Sequence, residues 1–268
     1  MTAFGGPIWM IGCGNMGGAM LRRWLTAGVD PALVTVVTRS GRGVPAEVRA
    51  LAAPPLDETP ATLILAVKPQ QLDTVLPLLA EVRPRLLVSI LAGVEEQALA
   101  RRIPAGAVVR AMPNLPVTIG RGVTALFTSS RDPVVRAAAE ALATPLGLVE
   151  WIDDERRFDA VTALAGCGPG FVFRFADALA TAGAALGLPE EQARRLALAT
   201  LAGSAAMAAD AAEPPAVLAD RVASPGGSTR AGLDVLDRGG ALFELLRATL
   251  AASAARNAAM AAAARKRV

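Results

Sequence analysis

The 268-residue chain contains no histidine and no tyrosine, and its only lysines are Lys68 and Lys266. Imidazole-based triads, histidine–metal sites and the histidine acid/base of many hydroxy-acid dehydrogenases are therefore excluded. So is the tyrosine–lysine pair of many carbonyl reductases. Two cysteines, Cys13 and Cys167, are too few for a disulfide framework or a cysteine-rich zinc site, so no metal centre is expected. Aromatic residues are only 4% of the chain, and 27 Lys+Arg stand against 24 Asp+Glu. With a pI near 9.5, this mild and dispersed basicity suits an acidic small molecule and lacks the clustered footprint of a nucleic-acid binder. Long apolar runs are missing too: no segment reaches the ~18 uncharged residues of a membrane span. The first twenty-one residues carry no side-chain charge, but Gly5, Gly6, Gly12, Gly14, Gly17 and Gly18 interrupt them and no basic region precedes them. The expectation is a soluble protein of the reducing cytoplasm, with no membrane and no nucleic acid among its partners.

Alanine and leucine supply most of a 53% hydrophobic content, and the mean hydropathy is +0.43. Disorder is excluded, and the length suits one or two domains. Ile8-Trp9-Met10-Ile11 reads as a buried strand, followed at once by Gly12-Cys13-Gly14-Asn15-Met16-Gly17, a helix over 16–25 and a second strand over 33–37. Strand, glycine turn, helix and strand form the context in which a G-x-G-x-x-G run binds a dinucleotide. Gly12 permits the tight turn, Gly14 lets backbone approach a pyrophosphate, and Gly17 lets helix and strand pack closely. The phosphates, beside Asn15 and Met16, would face the helix N-terminus.

The second strand ends in Thr38-Arg39-Ser40 and carries no acid to grip ribose hydroxyls. A guanidinium and two hydroxyls suit a 2′-phosphate, which predicts NADPH as cofactor, with NADH binding more weakly. Arg42 is placed to share that role. Further strands are expected over 63–67, 86–90, 108–112, 123–127 and 147–151, with helices over 71–82 and 133–143 between them. This alternation predicts a mainly parallel, doubly wound sheet, a Rossmann-like domain over residues 1–152. Ala66, Val67, Lys68, Pro69 and Asn114 stand at strand ends, where such sheets bind ligands, so each is a candidate cofactor contact.

From Asp153 the texture changes to long alanine-rich helices, expected over 156–186, 189–209 and 240–265. Residues 153–268 are therefore expected to form an all-α domain that buries its remaining faces against a second copy, making a homodimer. Pro225-Gly226-Gly227-Ser228-Thr229 opens a short helix to Asp237 and gathers free backbone N–H groups, a natural receptor for a carboxylate. Cys167, in Gly166-Cys167-Gly168-Pro169, is expected to line the substrate cleft or fill its packing. The basic end Arg265-Lys266-Arg267 reads as a solvated helix terminus.

Hydride reduction of a ketone leaves an alkoxide that needs an acid. A protonated imine carries its positive charge already, and hydride addition leaves a neutral amine. The lack of histidine and tyrosine therefore suits C=N better than C=O reduction. The chain resembles pyrroline-5-carboxylate reductases. The resemblance rests on Gly12 to Gly17, Ala66-Val67-Lys68-Pro69-Gln70, Arg110-Ala111-Met112-Pro113-Asn114-Leu115-Pro116, Gly168-Pro169 with Phe171-Val172-Phe173, Gly187-Leu188-Pro189, and Ser224-Pro225-Gly226-Gly227-Ser228-Thr229. It implies reduction of 1-pyrroline-5-carboxylate to proline, an interlocked helical dimer and a ring of dimers. It also implies that Gly226, Gly227, Ser228 and Thr229 hold the substrate carboxylate, with the catalytic Thr229 hydroxyl near the ring nitrogen.

Some positions depart from the family pattern. Ala165-Gly166-Cys167-Gly168-Pro169-Gly170 stands where Ser-Gly-Ser-Gly-Pro-Ala is usual, Ala199-Thr200 where Gln-Thr is common, and Ala223 where a hydroxyl residue is usual. The usual cofactor-contacting Asn has no clear counterpart around Ala53. These changes leave open a related cyclic imine acid as substrate, or an NADP-binding relative without turnover that acts as a scaffold. A reductase of the β-hydroxyacid dehydrogenase type would need a lysine in the helix over 156–186, which has none.

Overall fold

A computed structural model describes residues 6–55 and 57–265. Met1 to Gly5, and Lys266 and Arg267 of the basic end, lie outside the described residues. The described residues form two compact units, the first reaching to Cys167 and taken up again from Ser253, the second Gly168–Ala252.

The first unit is built on eight strands: β1 (Ile8–Ile11), β2 (Val34–Val37), β3 (Arg49–Leu51), β4 (Thr62–Leu65), β5 (Leu86–Ser89), β6 (Ala107–Pro113), β7 (Gly122–Phe127) and β8 (Gly147–Trp151). They lie in the order β3-β2-β1-β4-β5-β6-β7-β8. Every pairing is parallel except β6 with β7. Strands β1, β2, β4 and β5 are buried at every position, as continuous β-branched and leucine runs require when both sheet faces are covered. One face packs Met10, Val36, Ile64 and Val88 against α1 (Asn15–Thr26) and α4 (Pro133–Ala143). The other packs Trp9, Leu63, Leu65 and Leu87 against Leu72, Leu79 and Leu99. Helix α1 is pinned by two side-chain bonds: Trp24 Nε1 donates to the Leu142 carbonyl and Arg23 Nε to the Pro145 carbonyl, each at 2.7 Å.

Three local expectations are corrected. The helix expected over 71–82 is a 3-10 turn (Pro69–Gln71), one turn of α-helix, α2 (Leu72–Val75), and a second 3-10 turn (Leu76–Leu79). Pro77 removes an N–H donor inside that segment, so a continuous ladder cannot form. The helix expected over 156–186 is broken into a 3-10 turn (Glu155–Arg157), α5 (Phe158–Val161) and a π-turn (Thr162–Gly166), before a separate helix begins at Gly168. The three-residue edge strand β3 was not expected; its Arg49 and Ala50 are exposed, so no alternation marks it.

The division between units falls at Cys167, later than the change of texture at Asp153, because α5 belongs to the sheet. Phe158 is buried with Met112 and Ala125. Arg110 of β6 is only 6% exposed and meets the Glu155 carboxylate at 2.7 Å, with its guanidinium 4.3 Å from the Phe158 ring centre. The same Glu155 oxygen accepts the Glu96 N–H, and the Glu96 carboxylate accepts N–H and O–H from Ser129.

The second unit contains α6 (Gly168–Ala185), α7 (Glu190–Asp210), α8 (Pro215–Arg221), α9 (Ser228–Asp237) and the start of α10 (Ala241–Arg265). Helices α6 and α7 touch through small residues: Ala176, Ala193 and Ala197 are buried. Among the described residues of this unit, larger apolar side chains are mostly uncovered, including Phe173 at 58% and Phe243 at 66% exposure. Side chains of that size gain roughly 1.5–3 kcal/mol each when fully buried, which gives the unit a strong tendency to associate.

Candidate functional site

The first unit opens a cleft of about 780 Å³ beyond the carboxyl ends of β1, β2, β4 and β5. It lies where strand order reverses between β1 and β4, the place at which such sheets bind ligands. Gly12, Cys13, Gly14, Asn15, Met16 and Gly17 line one wall, Thr38, Arg39, Ser40 and Arg42 a second, and Ala66 to Pro69 a third. These include every sequence-predicted cofactor residue but one.

The glycines explain the cradle. Gly12 has φ +90°, and a Cβ there would stand 2.8 Å from the Ala66 carbonyl oxygen and from Val67 Cγ1. At Gly17 a Cβ would meet Ala66 Cβ at 2.9 Å, so α1 can lie this close to β4 only with glycine. Gly14 differs: a Cβ there meets nothing within 4 Å, so its bare face borders open space where a phosphate can approach. Gly14 caps α1 without a side-chain bond, and no acid stands in the first turn. The first N–H groups of α1 are therefore left for an anion. Among the described residues, Arg39, Arg42 and Lys68 are the charged ones on the cleft wall, and no carboxylate lines it. This donor set fits a dinucleotide with a 2′-phosphate. Burial pushes the Cys13 thiol above its ordinary pKa, and the nearby Arg22 offsets part of that rise.

The exception is Asn114. Its side chain is buried and committed to the frame: Oδ1 accepts the Val123 N–H at 2.8 Å and Nδ2 donates to the Ala165 carbonyl at 3.0 Å. It is not among the residues that line the cleft. Its strand-end amide braces the π-turn. Cys167 is also absent from the cleft wall. Its sulfur accepts a hydrogen bond from Ser253 Oγ of α10 at 3.1 Å. Arg42 lines the cleft as Arg39 does, and its signal in the sequence was a second guanidinium just beyond the strand end.

In the second unit, the turn before α9 has the form of an anion receptor. Gly226 has φ +73°, a conformation that favours glycine, and a Cβ on Gly227 would crowd Ser224, 2.7 Å from its Oγ and 3.1 Å from its carbonyl oxygen. The Gly227 N–H donates to the Ser224 carbonyl at 3.0 Å. Gly227 therefore shapes the turn, and the donors left at the helix start include the amides of Ser228 and Thr229. No acid occupies the first turn of α9, and the side chains of Ser228 and Thr229 are exposed. Arg230 steadies the helix through an ion pair with Asp220 at 2.6 Å.

A doubly wound sheet with a glycine-turn cleft lined by arginines, followed by an apolar-faced helical unit, defines a dinucleotide-dependent oxidoreductase of two-part build. Comparison with known proteins makes this specific. Residues 155–260 match the family described as pyrroline-5-carboxylate reductase dimerisation, and residues 7–93 match the family described as NADP oxidoreductase, coenzyme F420-dependent. A pyrroline-5-carboxylate reductase of Synechocystis sp. is 44% identical over 191 residues, 69% of this chain and 71% of that relative. One from Aquifex aeolicus is 35% identical over 237 residues, 86% of this chain and 89% of that relative. The solved pyrroline-5-carboxylate reductase of Coxiella burnetii superposes with a TM-score of 0.84 at 30% identity, over 94% of this chain and 97% of that one. The chain belongs to the pyrroline-5-carboxylate reductase family. It is an NADP-dependent oxidoreductase whose helical region dimerises, and among the described residues no helix is long and apolar enough to cross a membrane.

Proposed function

We propose that the protein reduces the cyclic imine 1-pyrroline-5-carboxylate to L-proline with NADPH, the last step of proline biosynthesis. The observation that carries this reading is the pairing of an acid-free, arginine-lined dinucleotide cleft with the Ser224–Thr229 sequence that opens α9. When bound, the reduced dinucleotide supplies a hydride. Gly12, Gly14 and Gly17 shape its seat, the first amides of α1 with Asn15 and Met16 meet its pyrophosphate, and Thr38, Arg39 and Ser40 meet the 2′-phosphate. Ala66 to Pro69 close the third wall beside it.

The substrate carboxylate rests on the amides of Ser228 and Thr229, at a turn shaped by Gly226 and Gly227. Such a helix start favours an anion by roughly 0.3–1 kcal/mol when exposed and up to ~2 when partly buried. The Thr229 hydroxyl serves the ring nitrogen. The substrate enters with that nitrogen protonated, so hydride addition to the imine carbon yields a neutral amine, which takes its next proton from water. No imidazole or phenol is needed, in keeping with their absence from the chain. The working form is a cytoplasmic homodimer, assembled further into a ring of dimers.

The test is NADPH oxidation, followed by absorbance, with pyrroline-5-carboxylate and with its six-membered analogue. Faster turnover of the five-membered ring is expected. Tight NADPH binding with no oxidation of either would replace the enzyme by a scaffold. Thr229→Ala is expected to lower kcat about tenfold, less than the roughly hundredfold or more lost with a fully enclosed donor, because this hydroxyl is exposed, with NADPH affinity unchanged. A parallel loss of cofactor affinity would remove Thr229 from the substrate site. Arg39→Asp removes a charge-assisted bond worth about 1.5–3 kcal/mol and adds repulsion. The NADPH-to-NADH preference should fall about thirtyfold, and an unchanged ratio would overturn the cofactor assignment.

A further inference from the structure

The loop after β2 is tied to the glycine turn by a contact that dinucleotide binding by itself does not require. The Cys13 thiol donates to the Gly43 carbonyl across 3.6 Å, within reach for a sulfur donor. Gly43 has φ +79°, and a Cβ there would lie 3.6 Å from the Cys13 carbonyl oxygen, so loop tip and glycine turn run close together beside this bond. Within the loop, Ser40 Oγ accepts the Arg42 N–H at 3.3 Å and the Val44 N–H meets the Gly41 carbonyl at 3.4 Å. Val44 and Cys13 both pack against the same apolar core as α1. The loop is thus anchored at its far end and at its tip, while Arg39 and Arg42 stay on the cleft wall.

We infer that Arg42 is a second guanidinium for the 2′-phosphate, and that Cys13 is its positioning residue, holding the 40–44 loop against the glycine turn through the Gly43 carbonyl. This rests on the NADPH reading given above and deepens it. A flexible loop would have to be ordered each time the cofactor bound, and a loop already tied down avoids that entropy cost. The thiol has to keep its proton to act as donor. Its burial favours the protonated form, so the tie holds at neutral pH. Sulfur hydrogen bonds are weak, so the effect of Cys13 on affinity is modest and exerted through Arg42.

The test is direct binding to the full-length protein, without turnover, by calorimetry with 2′,5′-ADP, 5′-AMP, NADPH and NADH. Arg42→Ala is expected to weaken 2′,5′-ADP and NADPH about tenfold and to leave 5′-AMP and NADH within twofold. Cys13→Ala, which keeps the Cβ, is expected to weaken the two 2′-phosphate ligands about threefold and spare the other two. In the Arg42→Ala background the Cys13→Ala step should have no further effect, because the thiol acts through that arginine. A threefold loss that persists in that background, or one shared equally by NADH, would show that Cys13 merely packs the glycine turn and would overturn the inference. Wild-type protein that binds NADPH no better than NADH would remove the cofactor reading itself, and this inference with it. A preserved wild-type preference with an unmoved Arg42→Ala variant would remove this inference alone.

Discussion

Gly12→Ala is expected to bind NADPH at least about a hundredfold more weakly than the wild type. The new methyl would lie 2.8 Å from the Ala66 carbonyl oxygen and 2.8 Å from Val67 Cγ1, closer than side-chain carbons approach such atoms. One obstacle is backbone at the end of β4, so no rotamer change relieves it. The residue would also hold φ +90°, a conformation costing an L-residue roughly 1–2 kcal/mol. Nor can the turn slide away, because the Gly12 N–H is bonded to the Val37 carbonyl at 2.8 Å and ties β1 to β2. The strain passes instead into the amides from Gly14 to Gly17. Misaiming two charge-assisted phosphate bonds, each about 1.5–3 kcal/mol, is enough for a hundredfold loss, since ~1.4 kcal/mol is tenfold. Titration of nicotinamide fluorescence measures it. An affinity within threefold of wild type would mean that the phosphates do not rest on this turn. Gly14→Ala is the informative partner, for its methyl meets no protein atom within 4 Å. It should fold normally and lose affinity only by blocking the ligand.

Glu155→Ala is expected to cost about 3–5 kcal/mol of stability, the range found when one partner of a buried ion pair is removed. Arg110, at 6% exposure, would be left charged and unpaired beside the Phe158 ring, and a guanidinium does not shed its proton to escape. The Glu96 N–H would lose its acceptor as well. Urea titration of the wild type and variant measures the difference. A loss below about 1 kcal/mol would show that water reaches Arg110 and replaces the carboxylate. The double variant Arg110→Met with Glu155→Leu should recover most of the loss, because apolar replacements of similar volume are often neutral at such sites. The exposed pairs Arg157–Asp153 and Arg247–Glu244 are expected to matter little, as solvent screens them.

Much of the cofactor cleft was legible from local sequence. A glycine turn between a buried strand and a helix constrains backbone within a few residues, so Gly12, Gly14 and Gly17 declare themselves without tertiary information. The missing acid after Val37 is equally local. Asn114 marks the limit of such reading, because position at a strand end says where a side chain starts and not what it meets. Its partners, Val123 and Ala165, come from distant parts of the chain. Gly227 was only partly legible: its place in the turn was plain, but the loss of its N–H to the Ser224 carbonyl depends on the turn's three-dimensional closure. The π-turn over Thr162–Gly166 was invisible, since alanine-rich sequence favours α-helix locally and the departure is braced by Asn114 from outside.

By itself the sequence determined the mainly parallel sheet, the glycine cradle, the preference for a 2′-phosphate and the exclusion of imidazole and phenol chemistry. Each follows from residue type, strand periodicity or short-range backbone geometry. Only the tertiary structure decided that α5 belongs with the sheet, that Asn114 braces a turn, and that Cys13 reaches Gly43. Those outcomes depend on which buried polar groups find partners across long sequence separations, and no local pattern encodes that pairing.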